Sequence, residues 1–99
     1  MNYLLNSADQ FDKWLSKLKD RSVKIKVMSR LARVENGNFG DHKQISTDLF
    51  ELRFFFGSGL RIYYTIQNKQ VVFLLAGGDK STQNKDIDLA KDLLTKLED

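Results

Sequence analysis

The sequence predicts an α+β fold: two N-terminal helices, an antiparallel sheet of about four strands arranged as a meander, and a C-terminal helix. Three observations predict it. Apolar residues recur at helical spacing near both ends of the chain. Between them lie apolar runs punctuated by glycine- and asparagine-centred turns, the pattern of consecutive hairpins. No proline-rich linker, repeat or low-complexity tract interrupts the 99 residues, so residues 1–99 form one domain around one core.

The elements follow in order. Met1 to Leu5 reads as a short strand. Ser7 and Gln10 have capping-box spacing, opening a helix whose stripe is Phe11, Trp14, Leu15 and Leu18. Asp20 or Ser22 caps a second helix carrying Val23, Val27, Leu31 and Val34, and Asn36-Gly37 stops it. The short break between these helices predicts an antiparallel helical hairpin. Residues 41–45 lead into a strand, and Thr47-Asp48 turns into the next. Ser81 is the expected N-cap of the last helix, with Ile87, Ala90, Leu94 and Leu97 as its stripe. Gly77-Gly78 lets the chain bend away from the sheet.

The stretch Glu51–Tyr64 organises the rest. Apolar runs flank Gly57-Ser58-Gly59, and a three-residue loop places Phe56 opposite Leu60, Phe54 opposite Ile62, and Leu52 opposite Tyr64. The other face then pairs Phe55 with Arg61, Arg53 with Tyr63, and Glu51 with Thr65. After Tyr64, a tight turn at Asn68-Lys69 sets Ile66 opposite Val71 and Ala76 opposite Arg61. Val72 and Leu74 would share the face of the arginines, shielded by the last helix or by a partner. Two guanidinium groups and a phenol on one rigid surface mark that face as the functional one.

Composition narrows the chemistry. The chain has no cysteine, which excludes disulfides and thiolate metal sites, and its single histidine, His42, argues against an all-protein zinc site. No cofactor is expected. A formal charge of +3 and a pI near 9.2 permit an anionic partner. The first residues lack the basic and apolar segments of a signal peptide, and no run is long enough to span a bilayer, so the expected compartment is the cytoplasm, without a membrane partner.

Taken in order, several motifs together resemble the RelE/ParE toxin superfamily, and within it the HigB-like, phage-related addiction module killer proteins. They are Phe11-Asp-Lys-Trp-Leu15, Leu18-Lys-Asp20, Arg30-Leu-Ala-Arg33, Gly37-Asn-Phe-Gly-Asp41 and Glu51-Leu-Arg53. Gly57-Ser-Gly-Leu-Arg-Ile-Tyr-Tyr64, Leu75-Ala-Gly-Gly-Asp-Lys-Ser-Thr-Gln83 and Lys85-Asp-Ile87 complete the set. The resemblance implies a RelE-like fold and a ribosome-dependent, metal-independent mRNA endonuclease acting with ribosome and mRNA. It also implies a cognate antitoxin, a HigA-like helix-turn-helix protein through which alone operator DNA is contacted. A ParE-like toxin that binds DNA gyrase, or an inactive interaction module, are the alternatives.

By the same resemblance Arg61, Arg53 and Lys80 fall on the basic positions of the RNA-cleaving members. Arginine suits a phosphorane because its planar fork binds two phosphate oxygens and stays protonated. Lys80 is then a further clamp or the acid for the leaving 5′-oxygen. Candidate bases are His42, Asp79 or a lysine of lowered pKa. Lys43, Phe55, Tyr63 and Asp79 are the expected RNA contacts, with Phe55 and Tyr63 stacking on unpaired bases. The RelE branch has a tyrosine early in its last helix where this chain has Lys85-Asp86.

Overall fold

A computed structural model describes residues 2–98. Five strands form one sheet in the order β1-β5-β4-β3-β2, with β1 Leu4–Ser7, β2 His42–Ser46, β3 Leu49–Arg53, β4 Arg61–Gln67 and β5 Val71–Gly78. Helices α1 (Asp9–Ser16) and α2 (Arg21–Glu35) cover one face, and α3 (Gln83–Glu98) covers the other. The expected α+β order holds. The sheet has one strand more than the four-strand meander, because β1 adds to β5 in parallel, Leu4 beside Val71 and Ser7 beside Leu74.

Helix signals land close to where the sequence puts them. Phe11, Val27, Leu31 and Val34 are buried against Leu52, Ile62, Tyr64, Val72 and Leu74. Asp20 caps α2, accepting from the Ser22 and Val23 N–H groups, and Gly37 follows it at φ +88°. The caps expected at Ser7 and Ser81 are corrected. Ser7 still belongs to β1, its hydroxyl donates to Asp12, and Ala8 starts α1 without a side-chain cap. Asp79, not Ser81, caps a 3-10 turn over Lys80–Thr82 that runs into α3, and its carboxylate accepts from both N–H and hydroxyl of Ser81.

Both hairpin registers differ from expectation. In β3–β4, Phe54 N–H donates to Leu60 O and Leu52 faces Ile62, so Phe55 to Gly59 form a five-residue loop with Gly57 and Gly59 at positive φ. The slip is two residues, which leaves every side chain on its own face and is therefore invisible to period-two patterning. Arg53 consequently lies opposite Arg61, and Glu51 opposite Tyr63. In β4–β5 the turn does fall at Asn68-Lys69, both at positive φ, but Gln70 joins the loop and Gln67 pairs with Val71. That one-residue offset moves Val72 and Leu74 under α1 and α2 and turns Phe73 and Leu75 toward α3. A strand apolar at almost every position offers no alternation to fix its face. A bulge between Tyr63 and Tyr64 then sends Leu75 and Ala76 both toward α3 and brings Gly78, rather than Ala76, opposite Arg61.

One polar side chain bolts α2 to the sheet. The half-buried Arg30 guanidinium lies over the Phe54 ring, 4.9 Å from its centroid. It donates to Phe39 O at 2.9 Å, Asp41 O at 2.8 Å and Arg53 O at 2.9 Å. Arg30→Met would keep the stem and strand three carbonyls without their donors. The expected cost is about 2 kcal/mol, a fall in Tm of roughly 8–16 °C, read from urea and thermal melts.

Candidate phosphate-binding site

The site is built at the end of the sheet where β3, β4 and β5 meet the start of α3. Arg53 and Arg61 are direct cross-strand partners on the α3 face. Like charges so opposed repel, and each guanidinium leans on a carboxylate. Arg53 Nη2 lies 3.1 Å from Asp41 Oδ1, with both side chains about one-third exposed. Arg61 Nη1 lies 3.9 Å from Oε1 of Glu51, which is fully buried. Glu51 Oε2 accepts from Gln83 Nε2 at 3.0 Å, tying the first turn of α3 across β3. The compensation is incomplete. Among the described residues, buried polar atoms without a hydrogen-bond partner gather here: Arg53 Nε, Arg61 Nε, Asp41 Oδ2 and the Tyr63 hydroxyl.

Lys80 joins this end of the sheet. Its N–H approaches Ser58 O of the hairpin loop at 3.4 Å, and its Cβ packs against Gly59 while the side chain stays exposed. Lys43 lies beside Glu51 in the β2–β3 ladder, and so on the same face as the arginines. Phe55 stands on the loop 85% exposed, not in a strand opposite Arg61. The structure thus brings Arg53, Arg61 and Lys80 to one corner, with Phe55 at its rim.

Three other candidates are not free as expected. Tyr63 is wholly buried beneath α3, which corrects its assignment as a base-stacking residue. Burial, helped by the nearby Glu51 and Asp86 carboxylates, raises its pKa above the ordinary phenol value and keeps it neutral. His42 pairs with Leu52, so it projects toward the α2 face, where its ring packs near Phe39 and Nδ1 lies 2.9 Å from Gly40 O. The structure does not bring it to the arginines. Asp79 serves as a helix cap, and the Ser81 hydroxyl bond holds its carboxylate below the usual range, away from the pKa a general base needs at neutral pH.

The partners Glu51, Gln83, Thr82 and Asp86, of which Glu51 and Asp86 are buried, were not among the residues singled out for chemistry. Asp86 accepts from the Thr82 hydroxyl and packs against Gly78. Gly77 and Gly78 are not a bend but the last residues of β5, kept bare by Trp14 on one face and Asp86 on the other. Among the described residues no cluster of three histidines or carboxylates could hold a metal ion, and no helix is long and apolar enough to cross a membrane.

A family model described as phage-derived protein Gp49-like matches residues 13–95. An uncharacterized protein of Haemophilus influenzae is 52% identical over 97 residues, covering 98% of each chain. Among solved structures, a double mutant of the Escherichia coli toxin RelE in the free state superposes with a TM-score of 0.67 at 19% identity, covering 89% of this chain and 97% of that one. The isolated E. coli RelE toxin gives 0.65 at 20% identity, over 87% and 96% of the two chains. A chain of the intact E. coli RelBE toxin–antitoxin complex gives 0.61 at 23%, over 78% and 95%. At these identities the likeness is one of fold.

Proposed function

The chain belongs to the phage-derived Gp49-like family and has the fold of RelE, and on that premise we propose that it is the toxin of a toxin–antitoxin pair, acting as a ribosome-dependent mRNA endonuclease in the cytoplasm. One observation carries the reading beyond the fold: two arginines face each other across β3 and β4, each with an unpartnered buried Nε. A phosphate at this corner would accept from the part of each guanidinium that is open to solvent and relieve their mutual repulsion. A toxin that poisons gyrase by protein contact has no use for such a pair.

In this reading the RNA supplies its own nucleophile. The 2′-hydroxyl passes its proton to solvent as it attacks the adjacent phosphorus, the bond from phosphorus to the 5′-oxygen breaks, and a 2′,3′-cyclic phosphate and a 5′-hydroxyl result. Arg61 and Arg53 hold the non-bridging oxygens as charge builds on the phosphorane. Lys80, exposed beside them, donates to the leaving oxygen. Phe55 offers a ring on which an unpaired base can stack. No metal ion takes part, because the local positive charge already does its electrostatic work. The ribosome orients the message, and the antitoxin, a helix-turn-helix protein of HigA type, neutralises the toxin and makes the contact with operator DNA.

The test is a message programmed on ribosomes, unmodified or carrying 2′-O-methyl at the cut nucleotide. The unmodified message should be cut, and the modified one should resist by at least about 100-fold. Cleavage of the modified message leaving a 5′-phosphate would rule out the mechanism. Intact messages together with stalled gyrase–DNA complexes would rule out the endonuclease.

A further inference from the structure

With Val72 and Leu74 interior, the apolar surface left for a partner is elsewhere. On α2, Ile25 is 57% and Met28 51% exposed. With the exposed Ala32 they recur at i, i+3 and i+7, on the side of the helix opposite Val23, Val27, Leu31 and Val34. A helix already buried along one stripe needs a polar outer face, and this one has a second apolar stripe instead. Basic residues border it: Lys24 along one edge, Lys26 and Arg33 along the other, and Arg21 at its head. Glu35, at the far end, is the one carboxylate of the helix. The stripe lies open on the surface of α2 and, at Ile25 and Ser29, borders a cleft of about 530 Å³ whose far wall is Arg53 to Phe56.

We infer that this outer face of α2 seats an acidic amphipathic helix of the antitoxin, an inference that rests on the toxin–antitoxin reading above. Its apolar residues would lie on Ile25, Met28 and Ala32, and its carboxylates would reach Lys24, Lys26 and Arg33, the helix-in-groove mode of recognition. Charge selects this occupant. A second copy meeting α2 with its own α2 would oppose two sets of four cations, Arg21, Lys24, Lys26 and Arg33, across a two-fold axis. A nucleic acid backbone would welcome the cations but has nothing to bury the stripe. The stripe lies on the layer opposite Arg61, and the adjoining cleft reaches Arg53 of the arginine pair.

Titration calorimetry of the full chain with the purified product of the adjoining reading frame tests this. Wild type should form a stoichiometric complex. Ile25→Glu/Met28→Glu should weaken it by at least about 100-fold, with an unchanged melting curve because both side chains point outward. Lys24→Glu/Arg33→Glu, which leaves the apolar stripe intact, should weaken it less and flatten its salt dependence. Undiminished binding by both variants would overturn the seat while leaving the toxin–antitoxin reading in place. No binding by wild type would overturn both. Two further results would also overturn it: a wild-type dimer that Ile25→Glu/Met28→Glu dissociates, or a labelled oligouridylate that binds wild type and is lost with that variant.

Discussion

Arg61→Ala is expected to abolish message cleavage, by at least about 100-fold, the usual scale for removing one preorganised donor from a developing oxyanion. It should also cost stability. The Arg61 side chain is only 15% exposed and faces the buried Glu51, so truncation leaves a carboxylate held by Gln83 alone. The pair is long, at 3.9 Å, and the expected loss is about 1–3 kcal/mol rather than the larger figure for a tight buried bridge. The double variant Arg61→Ala/Glu51→Gln separates the two effects. Neutralising Glu51 should restore most of the melting temperature and none of the cleavage. A well-folded double variant that cuts programmed messages at the wild-type rate would show that Arg61 has no part in the chemistry.

The largest expected effect on stability comes from Gly77→Ala. A Cβ there would lie 2.3 Å from Trp14 Cε3 and 2.4 Å from Cδ2, in the body of the indole rather than at the end of a flexible chain. Trp14 rests in turn against Phe11, with ring centroids 5.7 Å apart, so pushing it outward lifts α1 from the sheet. About 3 kcal/mol should be lost, a drop in Tm of roughly 12–24 °C. In a Trp14→Ala background the same substitution should cost much less, and a double-mutant cycle in urea would read that coupling directly. Equal costs in both backgrounds would place the strain elsewhere.

Much of the fold was legible from spacing alone. Most of the helix stripes, the Asp20 cap, the Gly37 stop and the turn at Asn68-Lys69 each rest on local chemistry, and the structure keeps them, except that Leu18 lies past the end of α1 and Leu97 is exposed on α3. The resemblance to the RelE/ParE superfamily is borne out by the family match and by the shared fold. What failed was register. The two-residue slip of β3 against β4 preserves every face, so no pattern of apolar residues detects it, yet it alone makes Arg53 and Arg61 neighbours. The displacement of β5 escaped because Val71 to Ala76 is apolar throughout. Burial of Tyr63 and Glu51 was hidden for a related reason. Their face looks open until α3 is laid on it, and nothing local in Ser81–Asp86 tells that Gln83 reaches Glu51. His42 and Asp79 were proposed as candidate bases from residue type, which says nothing about which side of a strand or which helix end a residue serves.

The parallel pairing of β1 with β5 orders events in time. Leu4 waits for Val71 and Ser7 for Leu74, so β1 cannot be seated until β5, about two thirds of these 99 residues further on, has been made. Until then its backbone donors have only water, and α1, anchored through Ala8 N–H to Leu74 O, has no fixed place either. The hairpin that carries both arginines also borders β5, which must be made before the sheet around them is complete. A protein with the proposed activity against translated messages therefore cannot complete the sheet around its arginines until β5 has left the ribosome.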